Sequence, residues 1–330
     1  MTSTTFPLDK KDLRILFELD GNSRQSIHDL AKKTKVSRDV VAYRMKQLEK
    51  KEIIQKYITI IDFSKLGYQI LRTYIKLKNT SPDIEQQIID FFLHQKSLFT
   101  IYRIDGKYDL AIGFLMKDLR SYSLLWDEFL RQFKMYVLIS DFNPFLNYIH
   151  YRRNYLVEKK YQDHTALLTG SSDLYPYDQK DLELLDLLKE DARISLLDIA
   201  KKLQMTAAGV KYKLRNLEKN NVIVAYKLLL DYRKLGYEYY KVDLELEDVM
   251  IIPALTEFIS RHPHIIYRDI AVGGSDFEFD CELRSQEEFY KLIDEIKALF
   301  PGKIRQFFYY KSLRIYKYSY FPEELKKTIV

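Results

Sequence analysis

A stretch of sequence near the amino terminus returns 169 residues further on, and this repeat restricts the chain to folds that can be assembled from two like halves. Ser26 to Glu49 reads SIHDLAKKTKVSRDVVAYRMKQLE, and Ser195 to Glu218 reads SLLDIAKKLQMTAAGVKYKLRNLE. From Leu8 to Tyr68 against Tyr177 to Tyr237 the register holds without a gap, with 24 of 61 positions identical. Duplication is the simple account. Each copy opens Ser-x-x-Asp (Ser26/Asp29, Ser195/Asp198), a cap whose hydroxyl and carboxylate satisfy the free N–H groups of a helix start. Ile27, Leu30 and Ala31, matched by Leu196, Ile199 and Ala200, give that short helix one apolar face. Ser37 and Thr206 then cap a second helix, in which Val41, Met45 and Leu48 (Val210, Leu214, Leu217) repeat at helical spacing. Leu13, Leu16 and Leu19, with Leu182, Leu185 and Leu188, predict a helix before each pair.

The outer face of the second helix carries Ser37, Arg38, Asp39, Ala42, Tyr43, Lys46 and Gln47 in the first copy, and Lys211, Tyr212 and Arg215 in the second. Such groups reach base edges and phosphates from a helix laid in the major groove of duplex DNA. A two-helix corner with a solvated charged face is the plainer alternative; duplication and flanking sequence favour DNA. After each pair, Ile53 to Tyr57 and Val222 to Tyr226 are β-branched runs suited to a short strand or wing. Both copies close on Asp-x-x-Lys-Leu-Gly-Tyr, at 62–68 and 231–237.

Charge separates the copies. Residues 8–56 hold 13 Lys and Arg against 8 Asp and Glu, whereas 177–225 hold 9 against 8. The first copy should therefore release more counterions from DNA. Its recognition helix begins Arg38-Asp39, and the second begins Ala207-Ala208-Gly209, which can touch a thymine methyl but offers no hydrogen bond. The expectation is an asymmetric reader: the first copy specifies, and the second clamps the backbone through Lys211, Lys213 and Arg215.

A looser repeat follows each copy, as strand, helix, strand, strand, helix, strand. The predicted segments are 68–78, 82–94, 98–105, 107–116, 120–133 and 135–143, then 237–247, 251–261, 264–271, 275–283, 286–299 and 303–311. This is the order of a ferredoxin-like βαββαβ unit, so the chain reads as α+β. The expected domains are a winged helix-turn-helix at 1–66, a ferredoxin-like effector or dimerisation domain at 67–160, a linker at 161–175 around Thr169-Gly170-Ser171-Ser172, a second winged helix at 176–235 and a second ferredoxin-like domain at 236–330. The basic, tyrosine-rich run Arg152 to Lys160 has no evident role in the sequence. A single cysteine, Cys281, excludes an intrachain disulfide framework, and the absence of any membrane-length apolar run or signal-peptide core points to the cytoplasm. The 27 Tyr and 19 Phe fall mostly in alternating runs, read as sheet and core rather than as stacking platforms for single-stranded bases.

A winged helix ending in Leu-Gly-Tyr, followed by βαββαβ with Gly-x-x-Asp before its third strand, resembles the Lrp/AsnC family of leucine-responsive and asparagine-synthesis regulators. The pattern occurs twice, with Gly106 and Asp109 in the first half and Gly273 and Asp276 in the second. The resemblance implies a DNA-binding transcription regulator whose two effector-like domains pair as an internal pseudo-dimer. It further implies a small effector, commonly an amino acid, at those loops, and self-association of chains. A tight strand connection capped by aspartate would account for the same residues. Neither cofactor nor metal is expected, and no catalytic residue is assigned. Two alternatives stand: a haem-precursor (sirohaem-type) decarboxylase, which shares the two-module build, and a metabolite sensor without DNA binding. Of the six histidines, His262-Pro263-His264 opens a predicted strand and reads as structural. Glycine-rich phosphate loops and a Cys–His or Ser–His–Asp arrangement have no support in the sequence.

Overall fold

The computed structural model describes residues 8–170 and 173–318. Ser171, Ser172 and the tail after Tyr318 lie outside the described residues. The first half runs α1 (Lys10–Gly21), α2 (Ile27–Thr34), α3 (Arg38–Lys50), β1 (Ile54–Ile61), β2 (Gln69–Leu77), α4 (Pro82–Leu93), β3 (Leu98–Gly106), β4 (Leu110–Met116), α5 (Leu119–Phe133) and β5 (Val137–His150). A short strand, β6 (Leu167–Thr169), lies within the segment expected to be a linker and pairs with the end of β5. The second half repeats the order as α6 (Gln179–Glu190), α7 (Leu196–Leu203), α8 (Ala207–Lys219), β7 (Ile223–Leu230), β8 (Glu238–Leu246), α9 (Ile252–Arg261), β9 (Ile265–Ala271), β10 (Phe277–Leu283), α10 (Gln286–Leu299) and β11 (Ile304–Tyr318).

Local chemistry sets the helix starts. Asp9 and Asp178 form capping boxes with Asp12 and Asp181, and Ser26, Ser37, Ser195 and Thr206 each accept a backbone N–H from the first turn they cap. Lys35 and Gln204 end the short helices with φ of 56° and 53°, making the turn into α3 and α8.

The strands expected to be wings pair with each other. β1 and β7 form an antiparallel two-stranded ribbon, Ile54 opposite Leu230 and Ile61 opposite Ile223. As a result Leu228 and Leu230 enter the core of the first helical unit, beside Leu16, Leu30 and Val41, and Ile61 enters the core of the second. Hydrogen bonds around the ribbon repeat with the sequence offset: Ser23 N–H donates to Tyr226 O at 2.8 Å and Ala192 N–H to Tyr57 O at 3.0 Å. Arg24 likewise donates to Ala192 O, and Arg193 to Ser23 O.

The two ferredoxin-like sheets join into one. Around the ring, β2, β4, β3, β11, β8, β10, β9 and β5 pair in succession, and β5 pairs back to β2, so eight antiparallel strands close a barrel with β6 added at one edge. Closure explains why β5 and β11 outrun the expected 135–143 and 303–311. The extra residues leave their own sheets: Phe145 to His150 pair with β9, and Tyr310 to Tyr318 pair with β3. Helices α4 and α5 cover one sheet through Ile88, Phe92, Leu125 and Phe129, and α9 and α10 cover the other through Leu255, Ile259, Phe289 and Ile293. Alternation along the strands then turns Arg72, Tyr74 and Lys241 to the barrel interior.

The run Arg152 to Lys160 acquires a role here. It crosses from β5 to the first helical unit, where Leu156 joins the core. Arg153 is 7% exposed and bridges Asp20 of α1 (2.8 Å) to Glu282 of β10 (2.9 Å). The first helical unit is thereby tied to the barrel half contributed by the second repeat.

Candidate nucleic-acid interface

Helix α3 is anchored by one face and open on the other. Val41, Met45 and Leu48 are buried, which points Arg38, Asp39, Ala42, Tyr43 and Lys46 into solvent, with Gln47 half-buried. Tyr43 is 64% exposed, far more than a tyrosine serving a core. Ser37 caps the helix, its hydroxyl 3.4 Å from the Val40 nitrogen, and the Arg38 guanidinium lies 2.6 Å from Nδ1 of His28 on α2. Among the described residues, Arg38 and Lys46 make no ion pair, so both charges are available to an anionic partner.

Arg44, on the same helix, is engaged. It holds Asp9 at 2.8 Å and Asp12 at 2.7 Å, tying α3 to the capping box of α1. Its pKa is raised by the hydrogen bond to Asp12, and Asp9 adds to the effect. The second repeat copies the arrangement: Lys213 reaches Asp178 at 2.6 Å and Asp181 at 3.1 Å. Burial works against the Lys213 charge, but those carboxylates raise its pKa above the ordinary value. Lys213 is therefore an internal brace rather than the backbone clamp the sequence suggested. Lys211, Tyr212 and Arg215 remain exposed on α8, with Tyr212, at 68%, standing where Tyr43 stands in the first copy.

At the strand connections, both aspartates are turned inward to the backbone. Asp109 accepts Leu77 N–H at 2.7 Å and pairs with Lys76 at 2.8 Å; Asp276 accepts Leu246 N–H at 2.8 Å. Gly106 has φ of 144°, and a Cβ there would lie 2.3 Å from Tyr309 O across the β3–β11 seam. Gly273, with φ of 71°, approaches Asn143.

The winged helix-turn-helix DNA-binding family model matches residues 8–55 and 177–224, the two helical units. An HTH-type transcriptional regulator of Pyrococcus abyssi is 31% identical over 144 residues, which are 42% of this chain and 96% of the relative. The chain belongs to the Lrp/AsnC family of transcriptional regulators. The transcriptional regulator AzlB of Bacillus subtilis is 33% identical over 119 residues, covering 35% of this chain and 74% of its own length. Over the whole chain, the crystal structure of the sirohaem decarboxylase NirDL has the same architecture, with a TM-score of 0.64, 13% identity and 97% of each chain covered. As an Lrp/AsnC protein this chain carries in tandem what those two curated relatives carry over well under half its length.

Sequence reasoning missed three sets of residues in this Lrp/AsnC chain: the braces Arg44 and Lys213, the bridge of Arg153, and a cluster of acids inside the barrel. All depend on partners tens to hundreds of positions away, and periodicity carries no signal of them. The histidines at 262 and 264 face packed rings: burial pushes His262 down to about 4, and His264 Nδ1 lies 2.9 Å from Glu282 O. Among the described residues no group of three or more His, Cys, Asp or Glu is arranged to hold a metal ion. Cys281 is buried, and burial raises its thiol pKa. None of the helices among the described residues is long and apolar enough to cross a membrane.

Proposed function

We propose that this Lrp/AsnC regulator reads duplex DNA asymmetrically, with α3 supplying base recognition and α8 holding the phosphate backbone. The supporting observation is the solvent-facing row of Arg38, Asp39, Ala42, Tyr43 and Lys46, with half-buried Gln47 at its edge, set against an α8 whose first turn is Ala207-Ala208-Gly209. The β1–β7 ribbon fixes the two helical units relative to each other, so both engage one site in a set spacing. Arg38→Ala should cost about 1–3 kcal/mol at the preferred site and relax its sequence preference. Lys211→Ala should weaken binding to all sequences alike and lower the salt slope by about 1. Equal losses of preference in the two variants would overturn the division of labour.

A small effector such as an amino acid would meet the backbone around Gly106 and Gly273, since Asp109 and Asp276 already hold strand amides. Self-association of chains and residence in the cytoplasm belong to the same reading.

The shared architecture with the sirohaem decarboxylase makes tetrapyrrole chemistry the second reading. The barrel interior opposes it. Its cavity is about 150 Å³, against the roughly 300–1,000 Å³ of pockets that take drug-sized ligands, so a tetrapyrrole does not fit inside it. A sirohaem-type tetrapyrrole titrated into the protein should leave the visible spectrum of the ligand unchanged.

A further inference from the structure

The duplicated barrel is charged unequally. Arg72 and Lys241 occupy matching positions at the offset of 169, but the acids beside them come from the second half alone. Asp243 stands where the first half has Tyr74. At the offset of 167 that matches Gly106 with Gly273, Asp269, Glu278 and Asp280 stand where the first half has Tyr102, Ala111 and Gly113. All four carboxylates are buried, at 5%, 5%, 2% and 3% exposure.

Two cations cannot satisfy four carboxylates. Arg72 takes Asp269 at 3.2 Å and Glu278 at 2.7 Å, and Lys241 takes Glu278 at 2.9 Å as well as Asp269. Asp243 and Asp280 lie at 3.8 and 3.7 Å from Lys241, beyond hydrogen-bond range, and the Tyr239 hydroxyl, a neutral donor, gives Asp280 a hydrogen bond at 2.6 Å without cancelling its charge. One oxygen each of Asp269 and Asp280 has no hydrogen-bond partner among the described residues. Burial raises the pKa of Asp280 to about 7, with the Lys241 charge opposing it, and that of Asp243 to about 6. An uncompensated carboxylate in an interior costs several kcal/mol, so the surplus must be relieved by protons or by a cation.

The surplus faces a cavity. The space of about 150 Å³ is bounded by Asp269, Asp280 and the rings of Tyr102, Tyr148 and Tyr239, reaches His150, and is also bordered by Arg72 and Lys241, whose charges are already engaged by Asp269 and Glu278. His150 is 5% exposed, and its Nδ1 has no hydrogen-bond partner among the described residues. An aromatic wall beside surplus carboxylates recognises an organic ammonium, whose charge meets the acids and whose methylenes lie on the rings. A cavity of this size holds a ligand about as large as benzene. The absence of a metal-competent cluster among the described residues argues for an organic cation over a metal ion.

We propose that the barrel cavity is a binding site for a small aliphatic amine, its ammonium held by Asp269 and Asp280 against Tyr148 and Tyr239, with His150 hydrogen-bonding at the far wall. The site is distinct from the Gly-x-x-Asp loops and from the DNA-facing helices. The test is calorimetric titration of the full chain, without DNA, with 1,4-diaminobutane, and in parallel with n-butanol as an uncharged probe of similar girth. The expected result is saturable binding of one diamine per chain and none of the alcohol, with affinity lowered roughly tenfold or more in Asp280→Asn. No saturation by about 10 mM diamine, or equal affinity in a folded Asp280→Asn, would overturn the proposal. Should that variant not fold, the comparison of diamine with alcohol decides: equal binding refutes a cation site and selective binding supports it. Failure to bind DNA would leave this result untouched.

Discussion

Arg38 and Arg44 share a helix and do different work. Arg38 is exposed beside His28, whereas Arg44 is 22% exposed and clamps two carboxylates of the α1 capping box. Arg44→Ala should lower stability by about 1–2 kcal/mol, because Asp12 and Asp9 lose their shared donor. Arg38→Ala should shift stability by no more than about 0.5 kcal/mol while weakening DNA binding. Urea denaturation and a binding isotherm on the same preparations separate the two. The sequence made Arg38 legible because an N-cap and an apolar stripe fix which way a helix faces; it hid Arg44 because its partners lie 32 and 35 residues away. A second residue-scale test concerns Asp280. Between its unfolded pKa near 4 and the folded value of about 7, the folded chain keeps a proton that the unfolded chain has released, so this group lowers stability as pH rises through that window. Asp280→Asn should therefore be more stable than the parent by about 1–3 kcal/mol at pH 8, with the gain shrinking toward pH 4. A gain that does not change between pH 5 and 8 would contradict the assigned cause.

The strands show where local signals stop. Alternating residues, serine caps and Pro82 located ten of the elements around the barrel to within a few residues, since these are properties of single segments. β5 and β11 ran past their expected ends, because their last residues are specified by strands of the opposite half. The wing strands lie where they were expected, but their pairing was not legible for the same reason: β1 is stabilised by β7, and a β-branched run does not announce its partner. The β3–β11 seam offers an element-scale test. Gly106→Ala would drive a Cβ against Tyr309 O and should destabilise the chain by about 2 kcal/mol or more, seen as a lower urea midpoint. Arg153→Met should cost about 3–5 kcal/mol, because Glu282 would be left buried without its cation and Asp20 with Lys227 at 3.9 Å alone. Burial opposes ionisation of Asp20, but Lys227 and Arg153 hold its pKa below the ordinary carboxylate value, so that part of the stability is present above about pH 4 and lost on further acidification.

At the scale of the whole molecule, the chain is a dimer written into one polypeptide. Duplication lets each half diverge: positive charge gathers in the first helical unit, and buried acid gathers in the second half of the barrel. The halves complete each other's cores through the β1–β7 ribbon and the two barrel seams, so neither contains all the strands its fold requires. Expressed separately, the two halves should self-associate or aggregate, and mixing them should yield a one-to-one complex by light scattering; a stable monomeric half would contradict the shared core. The division of labour rests finally on DNA. Selection of bound sites from random duplex DNA by the purified chain tests it most directly. An asymmetric enriched motif that loses its preference in Arg38→Ala but keeps it in Lys211→Ala is the predicted result. A palindromic motif affected equally by both changes, or no retention of duplex DNA in low-salt buffer, would contradict the account.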